Sequence, residues 1–303
     1  LGDIRFSRYQ KRLVELDQPQ IKHAVPDWLY QLMQNELGVS CDEILAGLNQ
    51  PNKVVVRTNI SKTHRNQLLS DFQKEDFLAQ PLLNSEVGLF FKDRVNVFRS
   101  SLFKKGHFEV QDGSSQMVAP FLDIQEGHRV IDACAGAGGK TLHIADRLKN
   151  RGKVIALDIH QWKLDQLKLR ARRNSYSNIE MRLIEGSKTI KRLKESADRL
   201  LLDVPCSGLG VLRRNPDTKW KLTEDSLSEL KNLQAEILQN YSAMLKPGGK
   251  MVYATCSLLP SENEKQVEKF LKNNSHFSLL KRKTIYPCRD GYDGFFMALL
   301  AKK

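Results

Sequence analysis

A chain of 303 residues, 41% hydrophobic and 27% charged, carries enough apolar material to bury the core of one large or two modest domains. Its formal net charge of +13 favours a polyanionic partner such as nucleic acid, although solubility alone accounts for a modest basic excess. No run approaches the roughly 20 apolar residues of a membrane span, and five scattered cysteines with no CxxC pair speak against a disulfide framework or a zinc site.

The opening LGDIRFSRYQ lacks the pattern of a secretion signal and begins with Leu rather than Met. These features point to a cytoplasmic monomer with free thiols, no metal and no membrane partner. The basic excess is uneven. Residues 1–109 hold 15 Lys+Arg against 13 Asp+Glu; subtracting from totals of 48 and 35 leaves 33 against 22 for the rest.

In chain order, residues 1–50 read as an N-terminal helical segment. Residues 1–24 suggest one helix only weakly; apolar spacing then predicts helices over 27–37 and 41–49, the second capped by Ser40. Residues 51–105 read as a small α/β module. VVVRTN predicts a strand, a helix follows near 62–72, and EVGLFFK and RVNVF look like further short strands.

Residues 106–303 alternate short apolar runs with amphipathic stretches. The runs are RVIDACA (129–135), KVIALDI (153–159), IEMRLIE (179–185), RLLLDVP (199–205) and GKMVYATC (249–256). From Thr223 to Leu245 apolar residues recur at helical spacing, and Lys-Pro-Gly-Gly (246–249) stops that helix. Ser261 with Glu264 reads as a capping box for another helix, and FFMALLA (295–301) as a closing strand. Strands alternating with helices predict a doubly wound, Rossmann-like α/β sheet with ligands beyond the carboxyl ends of its strands.

DACAGAGGKT (132–141) follows the first of those strands and opens a helix, so its backbone can approach a ligand closely. A Walker A loop is excluded in part, because Cys134 stands where its first glycine belongs. A dinucleotide fingerprint fails at Thr141. S-adenosylmethionine fits better, with Asp158 at the next strand end placed for ribose hydroxyls. Without Asp158, a plain strand-to-helix turn would account for the glycines.

Cys206 in DVPCSG and Cys256 in YATCS lie at the ends of the fourth and fifth strands, and tips about 5 Å apart can share one pocket. A lone cysteine there is usually a small buried hydrophobe. Two beside a cofactor loop suggest covalent catalysis: a thiolate adding to carbon 6 of cytosine makes carbon 5 able to accept a methyl group. Asp203 is placed to hydrogen-bond the base as the thiol adds.

These motifs resemble the Nop/Sun family of RNA cytosine-5 methyltransferases, and within it the bacterial 16S ribosomal RNA branch. FEVQDGSSQMVAP, DACAGAGGKT, LLDVPCSGLGVLRRNPDTKW, LKPGGKMVYATCSLLPSENE and DGFFMA carry the likeness across about 108–300. It implies that Cys256 is the nucleophile, Cys206 promotes release, Asp203 contacts the cytosine and Lys140 lines the active site. It further implies that Ala133, Cys134, Ala135, Gly136, Ala137, Gly138, Gly139, Lys140, Asp158 and Asp203 hold S-adenosylmethionine, that 51–105 is an RNA-binding module, and that the partner is RNA, ribosomal before transfer RNA.

Three departures stand out. Gly136-Ala137 replaces the family's Ala-Pro, Glu185 and Ser187 are weak candidates for the adenine contact that an acidic residue usually makes, and the large N-terminal helical domain of the ribosomal branch has no room here.

Other residues favour plainer roles. His107, His128, His143 and His160 suit packing or surface, as do Cys41, Cys134 and Cys288. Trp162 and Trp220 suit core anchors before base-stacking platforms. Arg213, Arg214 and Lys219 are candidates for phosphate contacts, and Lys168, Arg170, Arg172 and Arg173 suit a solvated helix face. Rival functions are a P-loop NTPase, a DNA cytosine methyltransferase using only the Pro-Cys motif, and a non-catalytic RNA-binding protein.

Overall fold

Runs of Val, Ile and Leu too long to alternate need cover on both faces. In the computed structural model, which describes residues 17–83 and 85–303, they form the centre of a seven-stranded sheet. β5 (Arg129–Asp132), β6 (Lys153–Asp158), β7 (Ile179–Leu183), β8 (Ala197–Asp203) and β9 (Leu245–Thr255) are parallel. β11 (Phe295–Lys302) joins β9 antiparallel, and β10 (Phe277–Ile285) joins β11, in the order β10-β11-β9-β8-β5-β6-β7. Buried clusters line the two faces, one around Val130, Val154 and Leu201 and the other around Ile131, Ile155 and Leu202.

The chain runs outward from β5 to β7, then returns to β8 on the other flank of β5. That reversal leaves a crevice at the carboxyl ends of β5 and β8, where doubly wound sheets bind their ligands.

A second sheet of four antiparallel strands, β2 (Ala79–Pro81), β3 (Gly88–Phe91), β1 (Val54–Thr58) and β4 (Phe108–Val110), packs under the helix Arg65–Lys74 around Phe72, Phe91 and Phe108. Two buried ion-pair systems bolt it to the helices Gly139–Arg147 and Gln161–Asn174 beside the larger sheet. Arg57 of β1 reaches Asp146 at 3.2 Å with both side chains buried, and Glu109 of β4 takes Arg170 at 2.9 Å together with Arg173. Arg170 and Arg173 are therefore interface residues rather than a solvated face.

Several expectations need correcting. Residues 94–98 do not pair as a strand. Asn96 accepts the Phe98 N–H instead and starts a 3-10 turn over Val97–Arg99, the local competition with ladders that Asn side chains offer. β4, at 108–110, completes the smaller sheet although it lies past residue 105. The helices Asp27–Leu37 and Cys41–Leu48 pack against Leu209, Leu212 and Leu259 of the larger domain, and Ser40 makes no side-chain cap.

The capping box falls at Thr223 and Ser226, heading the helix Glu224–Tyr241, and not at Ser261. Ser261 Oγ is buried without a partner, and the next helix starts at Glu264. Lys246-Pro247-Gly248-Gly249 lies inside β9. β10 escapes the sequence pattern because only Phe277 and Ile285 are buried along it, and its middle carries Lys281, Arg282 and Lys283, charges that protect an edge strand. The weak helix over 1–24 lies mostly outside the described residues; Pro19–Lys22 forms one helical turn.

Candidate active site

The crevice holds a cavity of 550 Å³ whose walls come from the glycine-rich loop, the ends of β6, β8 and β9, and the turn after β4. β5 delivers Asp132 into it, 1% exposed. One carboxylate oxygen accepts the Thr141 hydroxyl at 2.7 Å, while Oδ1 has no partner. Burial pushes this carboxyl up to about 7, with Asp203 adding to the shift and Thr141 opposing it. Thr141 is thereby fully buried against Asp132, and the described residues contain no cluster suited to a metal ion.

The loop after Asp132 is pinned to both neighbouring strands, Ala133 N–H to Leu201 O at 3.0 Å and Ala135 N–H to Leu157 O at 2.9 Å. Gly138 has φ +89°, and a Cβ there would come within 2.1 Å of Leu167 Cδ1, so only glycine lets the loop close onto the helix Gln161–Asn174. Gly136 donates to Asp158 Oδ2 at 2.9 Å, and the other Asp158 oxygen takes the His160 N–H at 2.9 Å.

Cys134, Ala135, Gly136, Gly139, Lys140 and Asp158 line the cavity, whereas Ala133, Ala137 and Gly138 are not among its wall residues. Ala133 is core, and the Ala137 carbonyl accepts Arg170 at 2.7 Å.

The opposite wall carries the cysteines. Lys140 Nζ lies 2.7 Å from Asp203 Oδ2 and 5.1 Å from the Phe295 ring centroid. Burial works against its charge, but the Asp203 carboxylate outweighs that and holds the ammonium above its usual pKa, with Cys256 and Asp132 contributing. Cys206 and Cys256 are free thiols whose sulfurs lie 3.3 Å apart, both in the cavity wall. The hydrogen bond to Cys256, together with burial, pushes the Cys206 thiol well above its usual range.

Glu262 holds this pair in register. It is fully buried, and Oε1 accepts the Ser207 N–H at 2.8 Å and the Gln234 amide at 2.8 Å. Oε2 accepts the hydroxyls of Ser207 and Ser257, the residues that follow the two cysteines. Gly210 N–H donates to Cys256 O at 2.9 Å and Gly294 N–H to Gly210 O at 2.8 Å. A Cβ on Gly210 would fall 2.2 Å from Gly294 O, so glycine is required where these turns meet.

Asp132, Glu262, Asp112 and Asp293 belong to the site without having been singled out from the sequence, and Arg214, a candidate for phosphate contact, instead bridges the last two. Arg214 donates to Asp293 at 2.5 Å and Asp112 at 3.0 Å. Burial and then Asp112 raise Asp293 to about 6. Only Asp132 carried a signal, as the acidic end of the strand before the glycines. The bridge assembles three distant segments that no spacing links.

Arg213 is bound to the carbonyls of Gly47 at 2.8 Å and Pro287 at 3.0 Å, and Lys219 is buried, so none of the three proposed phosphate contacts is free for that role. Glu185 and Ser187 are exposed and outside the cavity wall. Trp162 and Trp220 are surface residues, 63% and 59% exposed, rather than core anchors. Cys134, grouped with structural cysteines by its sequence context, lines the cavity.

Residues 119–301 match the family model of the 16S rRNA methyltransferase RsmB/F, and residues 25–98 the ferredoxin-like domain of RsmF/B-like methyltransferases. The probable ribosomal RNA small subunit methyltransferase B of Synechocystis sp. is 33% identical over 312 residues, covering 95% of this chain and 70% of that protein. Its Bacillus subtilis counterpart is 32% identical over 302 residues, covering 92% and 66%. Among solved structures, that of PH0851 shares 30% identity at a TM-score of 0.90, covering 95% of this chain and 68% of that one. NSun6 from Pyrococcus horikoshii with SFG shares the fold at 21% identity and a TM-score of 0.84, covering 91% and 98%.

Proposed function

The chain belongs to the RsmB/F family of methyltransferases, and on that premise we propose that it methylates carbon 5 of a cytosine in small-subunit ribosomal RNA, with Cys256 as nucleophile. S-adenosylmethionine is the cofactor and supplies an electrophilic methyl group. The residues present fit it: the orphaned Asp132 oxygen is a buried acceptor waiting for a cationic donor, and a Cβ on Gly136, in the wall beside it, would meet nothing within 4 Å. Asp132 would take the ammonium end, the loop 134–136 would lie along the amino-acid portion, and Asp158 would face the ribose.

The observation that carries the reading is the pair of thiols 3.3 Å apart in that cavity. On the likeness of its motif to the family's, Cys256 is the sulfur that attacks carbon 6, with Cys206 beside it. As that S–C bond forms, electron density moves to carbon 5, and the base is held by Asp203 and the Lys140 ammonium. Once carbon 5 is methylated, its proton leaves to a base in the site. The freed electron pair re-forms the ring double bond and expels the Cys256 sulfur. Cys206, beside that sulfur, assists this release.

Labelled S-adenosylmethionine with protein-free small-subunit ribosomal RNA, and transfer RNA in parallel, tests the reading. Wild type methylates the ribosomal RNA at a cytosine. Cys256→Ala is inactive and forms no adduct, and Cys206→Ala accumulates a denaturation-resistant protein–RNA complex. Adduct trapping in Cys256→Ala would reverse the two roles, and methylation of transfer RNA alone would change the substrate.

A further inference from the structure

Beside the catalytic cavity runs a second groove of 330 Å³, and the two adjoin at Val110 and Arg214, which line both. We propose that this groove binds the RNA nucleotide next to the target cytosine, stacking its base on Phe98 and holding its phosphate with Lys53 and Arg94. The proposal rests on the RNA-methylation reading and gives that substrate a second, built contact.

Phe98 is 55% exposed. A single exposed aromatic is ordinary and by itself says little. This one is braced from behind. Its ring meets Phe103 edge-on with centroids 4.9 Å apart, and Arg173 Cζ stands 3.9 Å over Phe103. Arg173 in turn is ion-paired to the buried Glu109. The ring is thus a fixed platform at the groove's edge, with its orientation set by a neighbouring aromatic and a tethered guanidinium.

The charges point to a nucleic acid. Lys53 and Arg94 are exposed in the groove, and neither has a carboxylate partner among the described residues. Lys53 instead lies 4.7 Å from the Phe90 ring centroid. The other two arginines of the groove are spent on structure, Arg213 on backbone carbonyls and Arg214 on Asp112 and Asp293, which makes the wall rigid and leaves two cations unmatched. A fixed aromatic face flanked by unpaired cations is the combination that holds single-stranded nucleic acid.

Continuity with the cavity supplies the reason for such a site. A cytosine can reach Cys256 only after leaving its stack, and this strips the adjacent base of a partner. Phe98 restores that stacking on the protein and so lowers the cost of extruding the target. The same groove would fix the strand's path, holding the cytosine in line with the sulfur.

The test uses the full chain with protein-free small-subunit ribosomal RNA, following RNA affinity, methylation and the affinity for S-adenosylmethionine. Phe98→Ala is expected to weaken RNA binding roughly ten-fold while cofactor affinity is unchanged, and Phe98→Tyr to restore it. Lys53→Gln with Arg94→Gln should flatten the slope of log affinity against log salt by about 0.7, the value for one lost phosphate contact on a single strand. A photo-crosslinker at position 98 should label the nucleotide flanking the methylated cytosine.

Wild-type affinity and salt slope in all three variants, as for a groove serving an acidic protein, would overturn the proposal, as would a crosslink elsewhere in the RNA. RNA binding that depends on Phe98 without methylation of any cytosine would instead sink the enzymatic reading and leave the groove standing.

Discussion

The two halves of the catalytic cavity follow opposite rules. On the cysteine side a fully buried carboxylate, Glu262, accepts four hydrogen bonds and ties both thiol-bearing turns to one point. On the cofactor side an equally buried carboxylate, Asp132, has one donor and an oxygen left over. The protein completes the first half by itself; the second keeps an acceptor without a partner. Positioning two sulfurs needs rigidity before substrate arrives, whereas an unmet acceptor costs folding energy that a ligand can return.

Glu262→Ala offers the largest break in that contrast. It strands donors that each cost about 1–3 kcal/mol when buried without a partner, so urea titration should register a loss of several kcal/mol, on the order of 4. Glu262→Gln sharpens the point. Expected are a loss of ~2 kcal/mol, a fall in methylation rate and an unchanged affinity for S-adenosylmethionine. Wild-type rates in Glu262→Gln would show that the clamp does not position the thiols.

Asp132→Asn should behave in the opposite way. Stability without ligand should stay within ~1 kcal/mol of wild type at pH 8 or rise, because an unpaired buried carboxylate is relieved. S-adenosylmethionine affinity should fall roughly ten-fold, read by calorimetry, from the loss of one charge-assisted contact.

The pH dependence follows from the raised carboxyl of Asp132, about 7 in the fold against an ordinary value near ~3.9. Because the folded state holds this proton more tightly, the group's contribution to stability is complete below about pH 4 and is lost as pH rises through about 7. Wild type should therefore lose stability relative to Asp132→Asn across that window. Its affinity for S-adenosylmethionine should rise between pH 5.5 and 7.5, and the variant should stay flat. Parallel stability curves for the two proteins would remove Asp132 as the titrating group.

Trp162→Ala and Trp220→Ala should be the mildest changes, each within ~0.5 kcal/mol in thermal unfolding, since both rings are exposed.

How legible each part was depends on where its partners lie in the chain. The parallel strands are written as apolar runs because burial on both faces demands it, and their ends mark Asp158, Asp203, Cys206 and Cys256 directly. Edge strand β10 hides because its outward residues are cationic. Glu262 sits in a segment resembling a helix cap, and its actual role depends on Ser207, which lies 55 residues earlier. Arg213 and Arg214 look like free cations until the chain brings carbonyls and carboxylates onto them.

The sequence by itself determined that two cysteines, a glycine-rich turn and an acidic strand end meet at one edge of a doubly wound sheet, because strand order and apolar periodicity are local properties. Only the tertiary structure decided which charges are spent and which remain available. A salt bridge such as Arg57–Asp146, a clamp such as Glu262 or an orphan such as Asp132 Oδ1 is defined by partners far away in the chain. A residue's type names what it can bond, and folding determines what is left for it to bond.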